Sequence, residues 1–467
     1  MTAFVLYNLC LFASALLGFS RKFQKPVLWG AGIVNLIIVT ILWQKSENTR
    51  WFLKSAFGVE LVIDELSRLF LLTLAVVWFA VAISLESKKQ DGFFVFLLLL
   101  FLGAGNLLFI SSDLFNLYVL LELLTILVFL LAGKTGETKP LWAGMKYLLL
   151  VASAMNLYLL GVGMVFLAEG SFRVSSITIT GIPAGFLIAG LLGKTGLFLF
   201  SMWLVDLHSS VSSEVSALLS GIAVKTGLYA LLRLRPALGN HFEVVPFFAV
   251  ISAILGVIFA FHEKHYKRIL AYSTLSQIGY ILTAPETGIF YVFAHGVFKS
   301  WPFLGADLLP THDTRALPQH RLPIVTWSLI ALPALSIAGL PWTVGGFSKE
   351  MLIVGTAWWQ RPILYGVSIG TAAVFAPFFF SLPRLEWGEI PKNILGHALL
   401  AFFTFFPLFG WGRKDLESTG ILLLGVLVAL LGARYRKPLP RVLERLENAA
   451  LLYLILFALC VVMSACR

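Results

Sequence analysis

Apolar runs of about 17 to 25 residues follow one another from the first residues of the chain to the last, separated by short polar stretches. A helix of about 20 residues rises about 30 Å, the thickness of a bilayer's hydrocarbon core, so each run is long enough to cross it. About sixteen can be read, among them 2–19, 66–85, 113–132, 183–204, 215–233, 268–285, 288–309, 323–341, 361–382 and 449–465. The run at 394–411 is interrupted by His397 and Pro407 and the one at 418–433 is short, so the expected count is fourteen to sixteen. No period-two alternation stands out, and no strand is expected. The pattern predicts an all-α polytopic membrane protein.

Composition agrees: 59% of the 467 residues are hydrophobic and 13% charged, with a mean hydropathy of +0.89. The net charge of +11 does not point to nucleic acid, because the basic residues are scattered through short loops with no basic domain to form a groove. Their arrangement speaks instead to topology. The strings "RKFQK", "ESKKQ", "KTGETK", "HEKHYKR", "THDTRALPQHR" and "RYRKPLPRVLER" follow odd-numbered runs, whereas "ISSD" and "APETG" follow even ones. The positive-inside rule puts the former in the cytoplasm and both termini outside it, in a cell (inner) membrane. One basic loop, "QKSENTRWFLKS" after the second run, falls on the outer side.

"MTAFVLYNLC" has neither a basic start nor a small-residue cleavage site, which reads as a retained first helix. Cys10, Cys460 and Cys466 lie near the ends without paired spacing, and no iron–sulfur, zinc, haem or nucleotide motif is present. No cofactor, metal or catalytic centre is therefore expected.

What changes the picture is charge inside the apolar runs. Lys194 sits near the middle of 183–204, about 15 Å from either end if the run is one helix, beyond the reach of snorkelling. Lys225 repeats the pattern in "GIAVKTGLYALLR", with the same Thr-Gly pair after it, and Glu122 is central in "DLFNLYVLLELLTILVFLL". His295 and Lys299 in "FYVFAHGVFKSWPFLG" share a helix face four residues apart. In "AGLPWTVGGFSKEML", Pro341, Gly345 and Gly346 interrupt a helix before Lys349 and Glu350. Each charge alone has a plainer reading as an ion-pair partner, His295 as a satisfied buried histidine, and Lys146 as a residue that snorkels from a cytoplasmic helix end. Together, several costly charges make sense as one connected polar route. Lysine, glutamate and histidine suit protons: a carboxylate near a dry lysine tips it between holding and releasing one. A potassium filter would show a T-V-G-Y-G string, which is missing. A weak internal similarity also sets Lys146 against Lys299 and Lys194 against Lys349, about 155 residues apart, as duplicated transporter halves do.

Four segments carry a resemblance. "DLHSSVSSEVSALLSGIAVKTGLYALLR", "KRILAYSTLSQIGYIL", "AHGVFKSWPFLGADLL" and "AGLPWTVGGFSKEML" resemble, in order and spacing, the antiporter-like membrane subunits shared by respiratory complex I and Mrp-type cation/proton antiporters. The resemblance covers roughly 57–382. It implies about fourteen conserved helices in two inverted five-helix repeats, each with a discontinuous helix. That divides the chain into N-terminal helices (1–91), a first repeat (92–236), a second repeat (237–382) and C-terminal helices (383–467). It implies a proton relay of Glu122, Lys194, Lys225, His295, Lys299 and Lys349, with Lys146, Asp206, His208, Gln277 and Glu350 as accessory candidates. Gln277 in "SQIGY" stands where several complex I members have histidine, which looks more like the D-type subunit of Mrp antiporters. The implied function is a proton-translocating subunit with other membrane subunits as partners, protons and Na+ as cargo, and no nucleic acid. Alternatives are a complex I-like or hydrogenase-like redox complex and an inorganic-carbon uptake system.

Overall fold

The computed structural model describes residues 1–45, 47–52, 59–85, 91–198, 200, 202–381, 383–406, 416–432, 436–437 and 439–465. The basic string at 86–90, Arg434, Tyr435 and Pro438 of the last basic string, Pro407 and Cys466 lie outside the described residues.

The chain is all-α and polytopic, as the apolar pattern predicts. It opens with α1 (Thr2–Ala15), α2 (Arg21–Gln44), α3 (Glu65–Ser84), α4 (Gly92–Leu108), α5 (Leu114–Gly133) and α6 (Thr138–Glu169). Then come α7 (Gly181–Thr195), α8 (Trp203–Ser210), α9 (Ser213–Leu218), α10 (Val224–Leu238), α11 (Val244–His262), α12 (Tyr266–Thr283) and α13 (Ile289–Leu304). The remainder is α14 (Ile324–Ala338), α15 (Val344–Val354), α16 (Arg361–Phe380), α17 (Ile394–Phe405), α18 (Leu416–Gly432) and α19 (Leu446–Ala465). Among the described residues eight helical stretches are long and apolar enough to cross a membrane, and five shorter apolar helices, Gly92–Leu108, Gly181–Thr195, Ile324–Ala338, Ile394–Phe405 and Ser418–Gly432, stand beside them.

Loops sort onto two faces in the alternation read from the sequence. On the basic face, His265 bridges Asp313, Arg315 donates to the Arg436 carbonyl at 2.9 Å, and Pro323 bridges Arg384. On the opposite face a short antiparallel hairpin, β1 (Thr49–Phe52) with β2 (Glu60–Ile63), corrects the expectation of no strand. Its backbone is fixed by Val62 N–H to the Ile110 carbonyl at 2.7 Å and Ser112 N–H to the Glu60 carbonyl at 2.9 Å. Residues 49–52 of the basic loop after the second run thus lie on this hairpin face, and residues 46 and 53–55 of it lie outside the described residues. Asp64 caps α3 there and holds Arg233 bidentately at 2.5 and 2.9 Å. Burial would raise the Asp64 carboxyl, but hydrogen bonding and charge from Arg233 hold it below the usual carboxylate range.

Two passes are broken, each by left-handed backbone that glycine supplies at little cost. The run 183–204, read as one helix, stops at Thr195 because Gly196 adopts φ +88°. The second break runs from Gly339 (φ +98°) through Pro341 to Trp342 (φ +69°). Gly345 and Gly346, expected to interrupt the helix, instead lie inside α15, where a Cβ would strike the Ser336 and Leu340 carbonyls. They permit close packing of the two half-helices. The run 215–233 also departs from a plain helix, with a π-helical turn over Leu219–Ala223.

The centre is formed by α3, α12 and α13. Every residue of α12 is buried although it carries Lys267, Arg268, Ser273, Thr274, Ser276 and Gln277. A polar helix buried on all sides must find partners within the protein.

At the basic face the His265 and His312 rings stack at 5.3 Å. Burial, then the neighbouring His312 charge, pushes His265 down to about 4 from 6.5. The folded loops therefore favour neutral His265: their docking should be fully stable above about pH 6.5 and lose stability as pH falls toward 4. Amide hydrogen exchange of residues 263–266 and 312–314 should quicken over that window, and His265→Gln should flatten the response.

Candidate functional site

Lys194 occupies the last turn of α7, not the middle of a continuous helix, and is 2% exposed. Its Nζ donates to Thr125 Oγ1 at 2.6 Å and Tyr147 Oη at 3.1 Å. Thr125 lies one turn beyond Glu122 on α5. Glu122 is near enough to Lys194 for the two charges to interact, but among the described residues no ion pair within 4.0 Å joins them. Glu122 Oε1 is buried without a protein partner. Such an arrangement leaves the carboxylate free to approach or withdraw from the lysine.

The repeated Lys-Thr-Gly does two different jobs. After Lys194 the glycine ends a helix; after Lys225 it stays inside α10, and a Cβ at Gly227 would lie 2.8 Å from Thr195 N. That glycine lets α10 rest directly on the end of α7, which brings the two lysine-bearing elements together. The π-turn before Lys225 disturbs the helical ladder, and Lys225 Nζ takes up the Ser220 carbonyl at 2.9 Å.

Across from it, His295 Nδ1 lies 2.7 Å from Lys225 Nζ. The contact can be an ammonium donating to a neutral imidazole or the Nδ1–H of an imidazolium donating to a neutral amine. Those two states differ by one transferred proton. Lys299, one turn along α13, donates to Ser273 Oγ and more weakly to the Leu270 carbonyl at 3.4 Å. Lys349 reaches back across the second break to the Ile337 carbonyl at 2.8 Å, one of the carbonyls that the end of α14 leaves open. With Glu350, Gly339, Tyr365, Ser368 and Ser418 it lines a cavity of about 260 Å³.

The accessory candidates scatter. Lys146 does not snorkel: it is 4% exposed and donates to Asp206 Oδ2 at 2.8 Å and to the Glu444 carbonyl. Asp206 also pairs with Arg268 at 3.1 Å, in a basic-face network with Glu263 and Glu444. His208 is fully buried, stacked on Phe303 at 4.5 Å with neither ring nitrogen hydrogen-bonded. Gln277 is buried with both amide atoms unpartnered.

This is the layout of a known family. The profile described as NADH:quinone oxidoreductase/Mrp antiporter, TM, matches residues 111–376, which hold every relay candidate. The chain belongs to that family. Among relatives of this antiporter-like membrane subunit, the D-type subunit of the Na(+)/H(+) antiporter of Alkalihalophilus pseudofirmus is 26% identical, with 78% of this chain and 82% of that protein covered. NADH-quinone oxidoreductase subunit N of Desulforudis audaxviator is 28% identical over 68% of this chain and 72% of its own. The fold matches a chain of the Mrp complex from Dietzia sp. DQ12-45-1b with a TM-score of 0.77 at 22% identity, covering 98% of this chain and 59% of that one. Relatives thus divide between antiporter and quinone oxidoreductase assemblies.

Sequence reasoning on the antiporter-like subunit missed Thr125, Tyr147 and Ser273, the hydroxyl partners of its lysines. Neutral hydroxyls cost little in a membrane helix and leave no charge signal. The available sign was the cluster of Ser, Thr, Gln and Tyr in "AYSTLSQIGY", too polar for a helix buried on every side.

Proposed function

We propose that the chain is the proton-translocating subunit of a multi-subunit Mrp-type Na+/H+ antiporter. Protons pass along Glu122, Lys194, Lys225, His295, Lys299 and Lys349 in the interior of the cell (inner) membrane, with both termini outside the cytoplasm. The observation that carries this reading is the 2.7 Å Lys225–His295 contact at full burial, flanked by lysines held on hydroxyls and open helix carbonyls. Such neutral partners hold a lysine in place without tying it to a permanent counter-charge. A proton handed from Lys225 to His295 leaves one neutral amine and one imidazolium, and the imidazolium releases it toward Lys299 through the ring's other nitrogen. Glu122 acts at the first end: as it approaches Lys194 it favours the ammonium, and as it withdraws it favours release. The two broken helices give the terminal lysines irregular backbone to move against.

The Mrp assignment is supported by the Na(+)/H(+) antiporter relative and by Gln277 at a position where a histidine is the alternative. The relationship to NADH-quinone oxidoreductase subunit N favours a second reading, the same relay driven by a redox partner.

The test compares the chain purified alone with its assembled complex, both in liposomes carrying a pH-sensitive dye. An imposed Na+ gradient should move protons in the complex and not in the lone chain. Coupled exchange by the lone chain would refute the subunit reading, and proton movement that responds to quinone reduction but not to Na+ would select the redox alternative.

A further inference from the structure

We propose that a cavity on the basic face, between α6, α8, the start of α12 and the turn before α19, holds the phosphate of an anionic phospholipid whose acyl chain runs down the outside of α6. The site contains no residue of the relay and stands whether or not the relay does. The cavity measures about 270 Å³. Its walls include Lys139 and Trp142 of α6, Asp206 of α8, His265 and Arg268 at the start of α12, and Arg441 of the 3₁₀ turn Arg441–Glu444.

The charges around the cavity do not cancel. Arg268 is buried and engages Asp206 at 3.1 Å, Glu263 at 2.8 Å and Glu444, while Lys146 holds the other Asp206 oxygen at 2.8 Å. Arg441 is exposed and reaches Glu263 only at 3.6 Å. Asp206, Glu263 and Glu444 are thus matched by Lys146, Arg268 and Arg441, and Lys139 is left over. Lys139 makes no hydrogen bond or ion pair among the described residues, yet its charge acts on His265, which lines the same cavity. A surplus ammonium and a loosely held guanidinium at one cavity suit an anion with several acceptor oxygens, which a phosphate supplies.

The surface beside the cavity decides between a lipid and a free phosphate. Trp142 is exposed at the rim, and Met145 and Leu149 continue the exposed face along α6 at steps of three and four residues. From Lys139 to Leu149 the helix rises about 15 Å, half of a hydrocarbon core of about 30 Å and so the depth of one leaflet. A basic residue at a helix end with a tryptophan just below it is the side-chain order of a membrane interface. Cationic pocket and apolar track together fit an amphiphile with a negative head. The phosphate sits between Lys139 and Arg441, the glycerol rests against Trp142, and an acyl chain follows Met145 and Leu149. A free phosphate would fill the pocket and leave the track uncovered. Through Arg441 the lipid also fastens the turn that carries Glu444 to α6.

The test follows the full chain, stripped of lipid in neutral detergent, as lipid is returned. Phosphatidylglycerol should occupy a single tight site by native mass spectrometry and slow amide exchange at residues 441–449. Phosphatidylcholine and inorganic phosphate at the same concentration should do neither. Lys139→Gln and Arg441→Gln should each weaken phosphatidylglycerol binding about fivefold, the share of one basic residue at a charged membrane surface. Lys392→Gln, which removes an exposed lysine of the same face outside the cavity, should leave binding unchanged. Equal weakening by Lys392→Gln would reveal diffuse attraction and overturn the site. Slowing by inorganic phosphate overturns the lipid in favour of a free anion, and slowing by phosphatidylcholine overturns the role of charge. Absence of any slowing by phosphatidylglycerol, in a chain whose thermal unfolding matches the untreated protein, overturns the proposal outright.

Discussion

Lys225→Ala, Lys299→Ala and Lys349→Ala should each abolish proton movement by the assembled complex while leaving its abundance near normal. In a relay every link is obligatory, so one missing site stops the whole flow, by about 100-fold or more for a positioned proton-transfer group. The structure also predicts what the truncations cost in stability. Lys225→Ala removes the donor to the Ser220 carbonyl and the partner of His295 Nδ1, and Lys349→Ala removes the donor to the Ile337 carbonyl. Unpaired buried groups of this kind cost about 1–3 kcal/mol each. Against a large buried core that is tolerable, so flux should collapse long before assembly does. Flux and complex abundance measured on the same proteoliposomes check the separation. If two of the three variants keep most of their transport, or if activity falls only in step with abundance, the lysines are structural.

Arg268→Met should be the most destabilising substitution at the basic face, and it should act through assembly, not through the relay. Arg268 is buried and pairs with Asp206 at 3.1 Å, Glu263 at 2.8 Å and Glu444. Burial would raise the Glu263 carboxyl, but the Arg268 hydrogen bond, helped by the Lys264 and His265 amides, brings it below the usual range. Removing the guanidinium leaves three carboxylates facing one another with Lys146 and the more exposed Arg441 as the cations at hand. Breaking a buried ion network from one side costs about 3–5 kcal/mol. Glu444 belongs to the 3₁₀ turn Arg441–Glu444 just before α19, and α19 packs against α7, where Gly185 meets the Val461 backbone. Loss of Arg268 should therefore loosen the C-terminal segment first. Hydrogen exchange at residues 441–449 should rise sharply while the α12–α13 core stays protected. Unchanged exchange there, with unchanged thermal stability of the complex, would show that the network is held by its other members.

The charges of the candidate site were legible because a charge in an apolar run is expensive and hence conspicuous. Lys194, Lys225, Lys299 and Lys349 announce themselves that way, and His295 by its four-residue spacing from Lys299. Their partners were not legible. Whether Lys194 meets Glu122 or Thr125 depends on side-chain reach between α5 and α7, and the answer is Thr125 and Tyr147. The same limit applies to glycine. Gly196 and Gly227 follow the same dipeptide, yet one terminates a helix and the other admits a neighbouring backbone. Gly345 and Gly346 look like breakers in sequence and serve as packing surfaces in the structure, because the break had already been made at Gly339.

The sequence by itself determined that the chain is a bundle of membrane helices and which ionisable residues lie within it. Both follow from local transfer free energies, which need only residue type and run length. It also determined the alternation of loops between two faces, since that requires only the order of the passes. The hairpin on the loop after α2 was left to the fold: its pairing depends on Ile110 and Ser112, some fifty residues away in the chain. Only the tertiary structure decided that Lys225 touches His295 and that Lys146 is tied into a basic-face network. These are contacts between distant segments, whose energies depend on angstrom-scale approach and helix rotation, and no periodicity along one segment records the rotation of another.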